Sequence, residues 1–569
     1  MKGFGKKSVG LILLAVVMML VAACGESGGG KAGEAEGNAK TPIENRASND
    51  VGKPAVEGDK QAPEGKYSPP VTVTTVRVTN ESAYKFAEGE SIDNNVWTRG
   101  YEEELGIKVV NEWVVDQSQA TQKMNVTIAS GELPDVMAVN ATQLKQLLDA
   151  DLIEDMTEAF EKYASPFTKE IMSQDGGMQL ASATFDGKLK AIVFTGSALD
   201  GAPLVWLRQD WLDKLKLPAP KTMDDLIRIA DAFVNEDPDG NHKKDTEGFT
   251  FTKTLYGGNA GLIGFFNGYH AYPNGTWVKD STGNLVYGGI QPEMKSALAK
   301  LQELYKNGLI DKEFGVADDV KVAEKATSGK VGILFAGMSA PIGFLQKGID
   351  LNPDAQWQAY PIVSADDKPA LGQLGLGAGE YYVVRKGFEH PEAIVKLLNF
   401  WMEKKYGTIG YPNPYIYDAE DRNTTNYATI KAYPWTKNLD AHLRVTEAIK
   451  SKDTSKLNAE EMSYHNNIVK YLEGDNKFWQ WDRVFGEFGS WAVINEYNKD
   501  NAFVRNEFYA SPTSTMVSKG SILNKKELEA FTDIIKGAPI DSYDKFVAEW
   551  KKLGGDQMTQ EVNEWYKSK

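Results

Sequence analysis

A mixed α/β fold with a helical C-terminus is what the sequence predicts, on three observations. Strand-like and helix-like runs alternate from Val71 onward. Several of the helix-like runs are amphipathic, and the last stretch of chain is helical. "VTVTTVRVT" (Val71 to Thr79) alternates β-branched and polar residues, as a strand does. "NVWTRGYEEELG" has helical character, "IKVVNEWVV" reads as a strand, "QATQKMNVTIASGE" as a helix and "PDVMAVN" as a buried strand. This alternation predicts parallel βαβ units. From Pro203, "PLVWLRQDWLDKLKL" runs from strand into helix. "KTMDDLIRIADAFVNE" is a stronger helix: Thr222 and Asp225 stand near to a capping box, and Leu226, Ile229, Ala230, Phe233 and Val234 share one face. The strand-like "GFTFT" follows an acidic loop, and "PEMKSALAKLQELYKNGLI" and "HPEAIVKLLNFWMEKKYG" are further helices. "DSYDKFVAEWKKLGG" and "TQEVNEWYKS" close the chain as helices. No short-period repeat is present.

The chain has 569 residues, 42% hydrophobic and 25% charged, enough for more than one domain of a soluble globular protein. Its net charge of -16 and pI of about 5.1 argue against a nucleic-acid partner and against general attraction to anionic lipid. At the N-terminus, Lys2, Lys6 and Lys7 precede an apolar run of roughly 15 residues, the size of a signal-peptide core. That run ends in Val21-Ala22-Ala23-Cys24, which resembles a bacterial lipobox and implies a lipid on Cys24; the alternative is an ordinary signal peptide with an incidental cysteine. Cys24 is the one cysteine of the chain, so no internal disulfide forms. Residues 25–70 have almost no large apolar side chains and read as a flexible tether.

"DPDGNHKKDTEG" (Asp237 to Gly248) is either a solvated turn or a cage for a hard cation. In the register of a calcium-binding EF-hand loop, Asp237, Asp239 and Asn241 take positions 1, 3 and 5, Lys243 offers its carbonyl at 7, and Asp245 stands at 9. Two departures stand out. His242 replaces the glycine at position 6, and Gly248 replaces the usual glutamate at 12, with Glu247 one place early. Carboxylates crowded there without a cation would repel one another.

The lipobox, "SGELPDVMAVN", "WLRQDWLDKLKLPAPKTMDDL", "DPDGNHKKDTEG", "LYKNGLIDKEF", "GKVGILFAG", "EYYVVRKGFEHPEAIVKLLNFW" and "FVAEWKKLGGDQMTQEVNEWY" occur in that order. Together they resemble extracellular solute-binding lipoproteins of carbohydrate ABC transporters, in the LipO-like branch and similar to alginate-oligosaccharide-binding proteins. The resemblance implies a two-lobe periplasmic-binding-protein-like (class II) fold, with a hinge of crossings near Ser197 to Val205, Ile362 to Gly379 and Tyr433 to Leu443. The lobes it implies are 71–200 with 375–440, and 201–374 with 441–569. It implies a monomer, lipid-anchored on the outer face of a Gram-positive cell membrane, which hands an oligosaccharide to ABC permease subunits. It also implies structural Ca2+ held by Asp237, Asp239, Asn241, the Lys243 carbonyl and Asp245, with Glu247 as the candidate in place of the missing acid.

A sugar site needs aromatic platforms and bidentate polar side chains. Among 13 Trp, 24 Tyr and 23 Phe, position in the chain narrows the candidates to Asn95, Trp97, Asp135, Trp206, Arg208, Trp277, Tyr381 and Trp435. Phe508 and Thr513 join them from a segment that resembles one near the cleft in the family. Each of these has packing as its alternative role. Trp211, Trp401, Trp550 and Trp565 fall on amphipathic helices and read as core. No HExxH pair occurs, and a secreted polysaccharide-acting enzyme and a surface adhesin stand only as rival readings.

Overall fold

Two hydrophobic cores organise the chain in a computed structural model, which describes residues 65–80, 84–257, 259–407 and 410–569. Cys24, the leader and most of the tether lie outside the described residues. The smaller core joins residues from Val73 to Val193 with residues from Tyr381 to Ala432. The larger joins Ala198 to Leu374 with Trp435 to Val562. Trp435 and Leu439, which the sequence reading assigns to the N-terminal lobe, thus pack in the larger core.

Strand Val71–Thr79 pairs in parallel with Ile107–Asp116, as the alternation predicts. The strands that follow depart from that expectation. Tyr381–Val384 lies between Val136–Val139 and Ile192–Val193 and is antiparallel to both. It arrives from the far side of the larger core, so no short crossover helix imposes a parallel direction on it. The larger core is built on a sheet ordered Trp357–Tyr360, Leu204–Arg208, Val331–Ala336, Glu247–Phe249, in which only the last pair is parallel. Leu204–Arg208 is buried at every position, which is why its sequence shows no alternation. The capping box of Thr222 and Asp225 starts helix Met223–Asn235. Helices Lys437–Ser451, Ala459–Leu472, Ser514–Ile535, Ser542–Trp550 and Asp556–Lys567 supply the helical C-terminus.

The chain passes between the cores three times, and the crossings are bonded side by side. Phe194 N donates to Glu380 O at 2.8 Å and Tyr433 N to Thr195 O at 2.9 Å. Gln179 grips the first crossing through both backbone groups of Gly196, at 3.0 and 2.8 Å. Gly377 has φ +78, and a Cβ there would stand 2.8 Å from Ala198 N, so both conformation and space demand glycine. Beside the crossings Lys405, on helix Glu392–Tyr406 of the smaller core, meets Glu460 at 3.3 Å, and Lys437 meets the same carboxylate at 3.1 Å.

Glu527 is buried in the larger core, where Tyr287 donates to it at 2.7 Å and Tyr256 also donates. Burial pushes its carboxyl up from 4.5 to about 7, and the two phenols only partly oppose this. A carboxyl raised on folding contributes stability that is full below the unfolded value of 4.5 and lost as pH rises through about 7. Glu527→Gln, which mimics the neutral acid, is therefore expected to gain roughly 3 kcal/mol at most at pH 8 and nothing at pH 4.5. Urea unfolding of both proteins at the two pH values checks this; an equal difference at both would refute it.

Candidate functional site

The C-terminal half of strand Val71–Thr79 opens onto a cleft of about 630 Å³ next to the crossings. Ligands of open α/β sheets gather beyond the carboxyl ends of strands. A register shift between Thr75 and Val76 interrupts the ladder there, and bulges of this kind re-aim side chains. Thr75, Val76 and Arg77 are consequently all buried in succession. The Arg77 guanidinium donates to Tyr427 O and Asn426 O at 3.1 Å each, and to Tyr84 Oη and Thr429 Oγ1 at 3.4 Å. Tyr84 and Phe194 give the cleft aromatic surface, with the buried Tyr382 behind them, and Gln117 and Thr121 give it polar groups. Lys431 completes the wall, with its ammonium 5.6 Å from the Phe194 ring centre.

None of the sugar-contact residues expected from the sequence lines this cleft. Asn95 is fully buried and spends its side chain on a helix cap, accepting from Trp97 N and Thr98 N. Trp97 is stacked on Trp401 at 5.0 Å and donates its indole N–H to Thr424 O at 2.9 Å. Trp206 sits in the middle of the four-stranded sheet, and Arg208 forms a two-point pair with Asp210 while covering the Trp211 ring at 4.5 Å. Trp277 packs between Tyr287 and Phe508, and Phe508 meets Trp565 at 4.9 Å. Asp135 braces Thr74 and Arg385 in a different pocket. Tyr381 is buried against Ser182, and Thr513 caps helix Ser514–Ile535. Trp435 lies under the Arg505 guanidinium at 5.0 Å, close to the third crossing. These rings and caps are packing residues because a large aromatic gains more from full burial than from a half-exposed turn. The cleft residues Arg77, Phe194, Tyr382 and Lys431 went unnoticed in the sequence; a lone arginine in a β-branched strand is the one signal that could have raised one of them.

The acidic loop gathers hard oxygens. Asn241 Nδ2 donates to Asp239 and, at 3.0 Å, to Asp245, while His242 N donates to Asp237 Oδ2 at 3.1 Å. His242 has φ +59, the left-handed turn that position 6 requires. Asp237 Oδ1 is buried with no hydrogen-bond partner, an oxygen that a cation would satisfy. Lys330 pairs with Asp245 and holds its carboxyl below the usual range. Glu247 is engaged elsewhere, at 2.7 Å from Lys325, which also holds Asp311. Among the described residues no three His, Cys, Asp or Glu side chains stand together as metal ligands. The donors that fit a hard cation in kind are Asp237, Asp239, Asn241, Asp245 and the Lys243 carbonyl. Drawing them onto one ion would exchange the Asn241 and Lys330 contacts for metal bonds.

Two α/β lobes, joined by three crossing segments with a cleft beside them, have the architecture of solute-binding proteins. The chain belongs to the family of bacterial extracellular solute-binding proteins, which it matches over residues 83–408. It is 25% identical over 489 residues to lipoprotein LipO of Bacillus subtilis, covering 84% of this chain and 89% of that protein. It is 22% identical over 470 residues to the polygalacturonan/rhamnogalacturonan-binding protein YtcQ of the same organism, covering 80% and 84%. Its fold is similar to that of the Streptococcus pneumoniae ABC-transporter substrate-binding protein FusA in complex with kestose, at TM-score 0.59 and 18% identity, covering 88% of this chain and 100% of that one. YtcQ and FusA are both named as binding proteins. Among the described residues no helix is long and apolar enough to cross a membrane.

Proposed function

We propose that this protein is the oligosaccharide receptor of an ABC importer, anchored through a lipid on Cys24, monomeric, and delivering its load to permease subunits. The observation that carries the reading is the cleft itself: aromatic faces of Tyr84 and Phe194 beside the amide of Gln117 and the hydroxyl of Thr121, at the hinge. Aromatic faces suit sugar C–H surfaces and amides suit paired hydroxyls. The names of YtcQ and of the FusA complex support a carbohydrate ligand. Closure follows from a ligand that binds the closed form better than the open one. Calorimetric titration against neutral and acidic oligosaccharides is expected to give saturable binding with no release of new reducing ends. Turnover, or an absence of binding across the whole set, would overturn the receptor.

The same reading includes calcium in the Asp237–Asp245 loop as a clip between helix Met223–Asn235 and strand Glu247–Phe249, away from the sugar. Its support is the donor set and the orphaned Asp237 Oδ1. At a hundredfold excess over Kd, Ca2+ would add about 2.7 kcal/mol to stability. The melting temperature is expected to rise with Ca2+ and fall with EDTA, and Asp237→Ala is expected to abolish both shifts. Identical melting in Ca2+ and EDTA would remove calcium from the account.

A further inference from the structure

Arg77 and Lys431 share the wall of the cleft, and neither has an ion-pair partner among the described residues. Arg77 spends its hydrogen bonds on neutral oxygens, two backbone carbonyls, a phenol and a threonine hydroxyl. Lys431 has the face of Phe194 beside its ammonium and no hydrogen-bonded acid, while Glu380 attracts it and Arg77 and Lys405 repel it. A half-buried cation without an anion is costly, and the cost disappears when a negative group takes the place of water. The chain carries 79 acidic residues and a net charge of -16, yet Glu380, exposed at the rim, is the one acid among the described lining residues. The described lining thus sets two cations against one acid on a negative protein, with ring faces from Tyr84 and Phe194. Burial, then Arg77 and Lys405, hold the Lys431 ammonium down at about 8, with Glu380 opposing.

We propose that the cleft takes an oligosaccharide bearing a carboxylate, a uronate oligomer, and that Lys431 pairs with that carboxylate while Arg77 supplies the positive field behind it. This rests on the sugar-receptor reading and narrows it to one class of ligand. An anion at this position meets its partner in a cavity rather than in open water, where charge-assisted contacts are stronger. Hydroxyls of the same sugar fall to Gln117 and Thr121, and its C–H faces to the aromatic rings.

The test is calorimetric titration of the whole protein with galacturonate, guluronate, mannuronate and glucuronate oligomers, with their methyl esters, and with neutral oligosaccharides. An oligouronate is expected to bind at least tenfold more tightly than its own ester, and added NaCl to weaken the acid and not the ester. Lys431→Met is expected to weaken binding of the acid and so narrow the affinity ratio between acid and ester. The ester comparison and the salt dependence are read on the unmodified protein, so they stand even where the variant folds poorly. Equal affinity for acid and ester, or binding of a neutral oligosaccharide and of no uronate, overturns the uronate proposal and leaves the sugar receptor in place. Binding of no member of any panel overturns the receptor reading and this proposal with it.

Discussion

Glu460→Gln is expected to lower stability by about 3–5 kcal/mol at pH 7, read as a fall in the urea midpoint. The reason lies in what the substitution leaves behind. Lys405 is 2% exposed at its side chain and Glu460 14%, so this pair is shielded from solvent. Without the carboxylate, two lysines face each other with no anion between them. Burial already pushes Lys405 down to about 8, with Glu460 only partly offsetting it and Lys437 adding to the effect. Burial alone would raise Glu460, but Lys405 and Lys437 together hold its carboxyl at about 2. A carboxyl lowered on folding contributes stability that is full above the unfolded value of 4.5 and lost as pH falls through about 2. The gap between the two proteins should therefore close across that acidic window. Adding Lys405→Met to Glu460→Gln should recover part of the loss at neutral pH. A Glu460→Gln protein as stable as the parent at pH 7 would show that the triad carries no net weight.

Trp97→Ala is expected to cost a further amount of the same order, about 3–5 kcal/mol, without changing sugar affinity in the folded fraction. Trp97 is fully buried, and besides Trp401 it contacts Tyr415 at 5.0 Å and Phe400 at 6.1 Å edge-on. Its removal empties a volume walled by four other aromatic rings, Tyr101 among them, and strands Thr424 O. The outcome separates two roles cleanly. A packing residue loses midpoint and keeps affinity when titrated well below the transition; a sugar platform loses affinity and keeps its midpoint.

Local chemistry was readable in the sequence wherever one segment decided the outcome. Thr222 with Asp225 made the predicted capping box, and Trp211, Trp401 and Trp550 became core as their place on amphipathic helices predicts. The order of motifs disclosed the family and with it the two lobes. The cleft was not readable, because Arg77, Phe194, Tyr382 and Lys431 come from four separate segments that meet only through the sheet and the crossings. No spacing along the chain records such a meeting. Nearness to a turn was a poor guide for tryptophans: Trp97 and Trp277 stand close to turns in sequence, yet their rings point into cores. Asn95, chosen for its amide, was serving the capping box of its own helix.

The antiparallel sheet of the smaller core bears on how such a chain can leave a cell. Its middle strand, Tyr381–Val384, is made only after the strands of the four-stranded sheet, while the outer strands Val136–Val139 and Ile192–Val193 come first. A polypeptide threaded outward from its N-terminus therefore carries a gap where that strand belongs. Contacts so distant in sequence close late and slowly. Connectivity alone delays locking of the first lobe until residues 381–384 have been made.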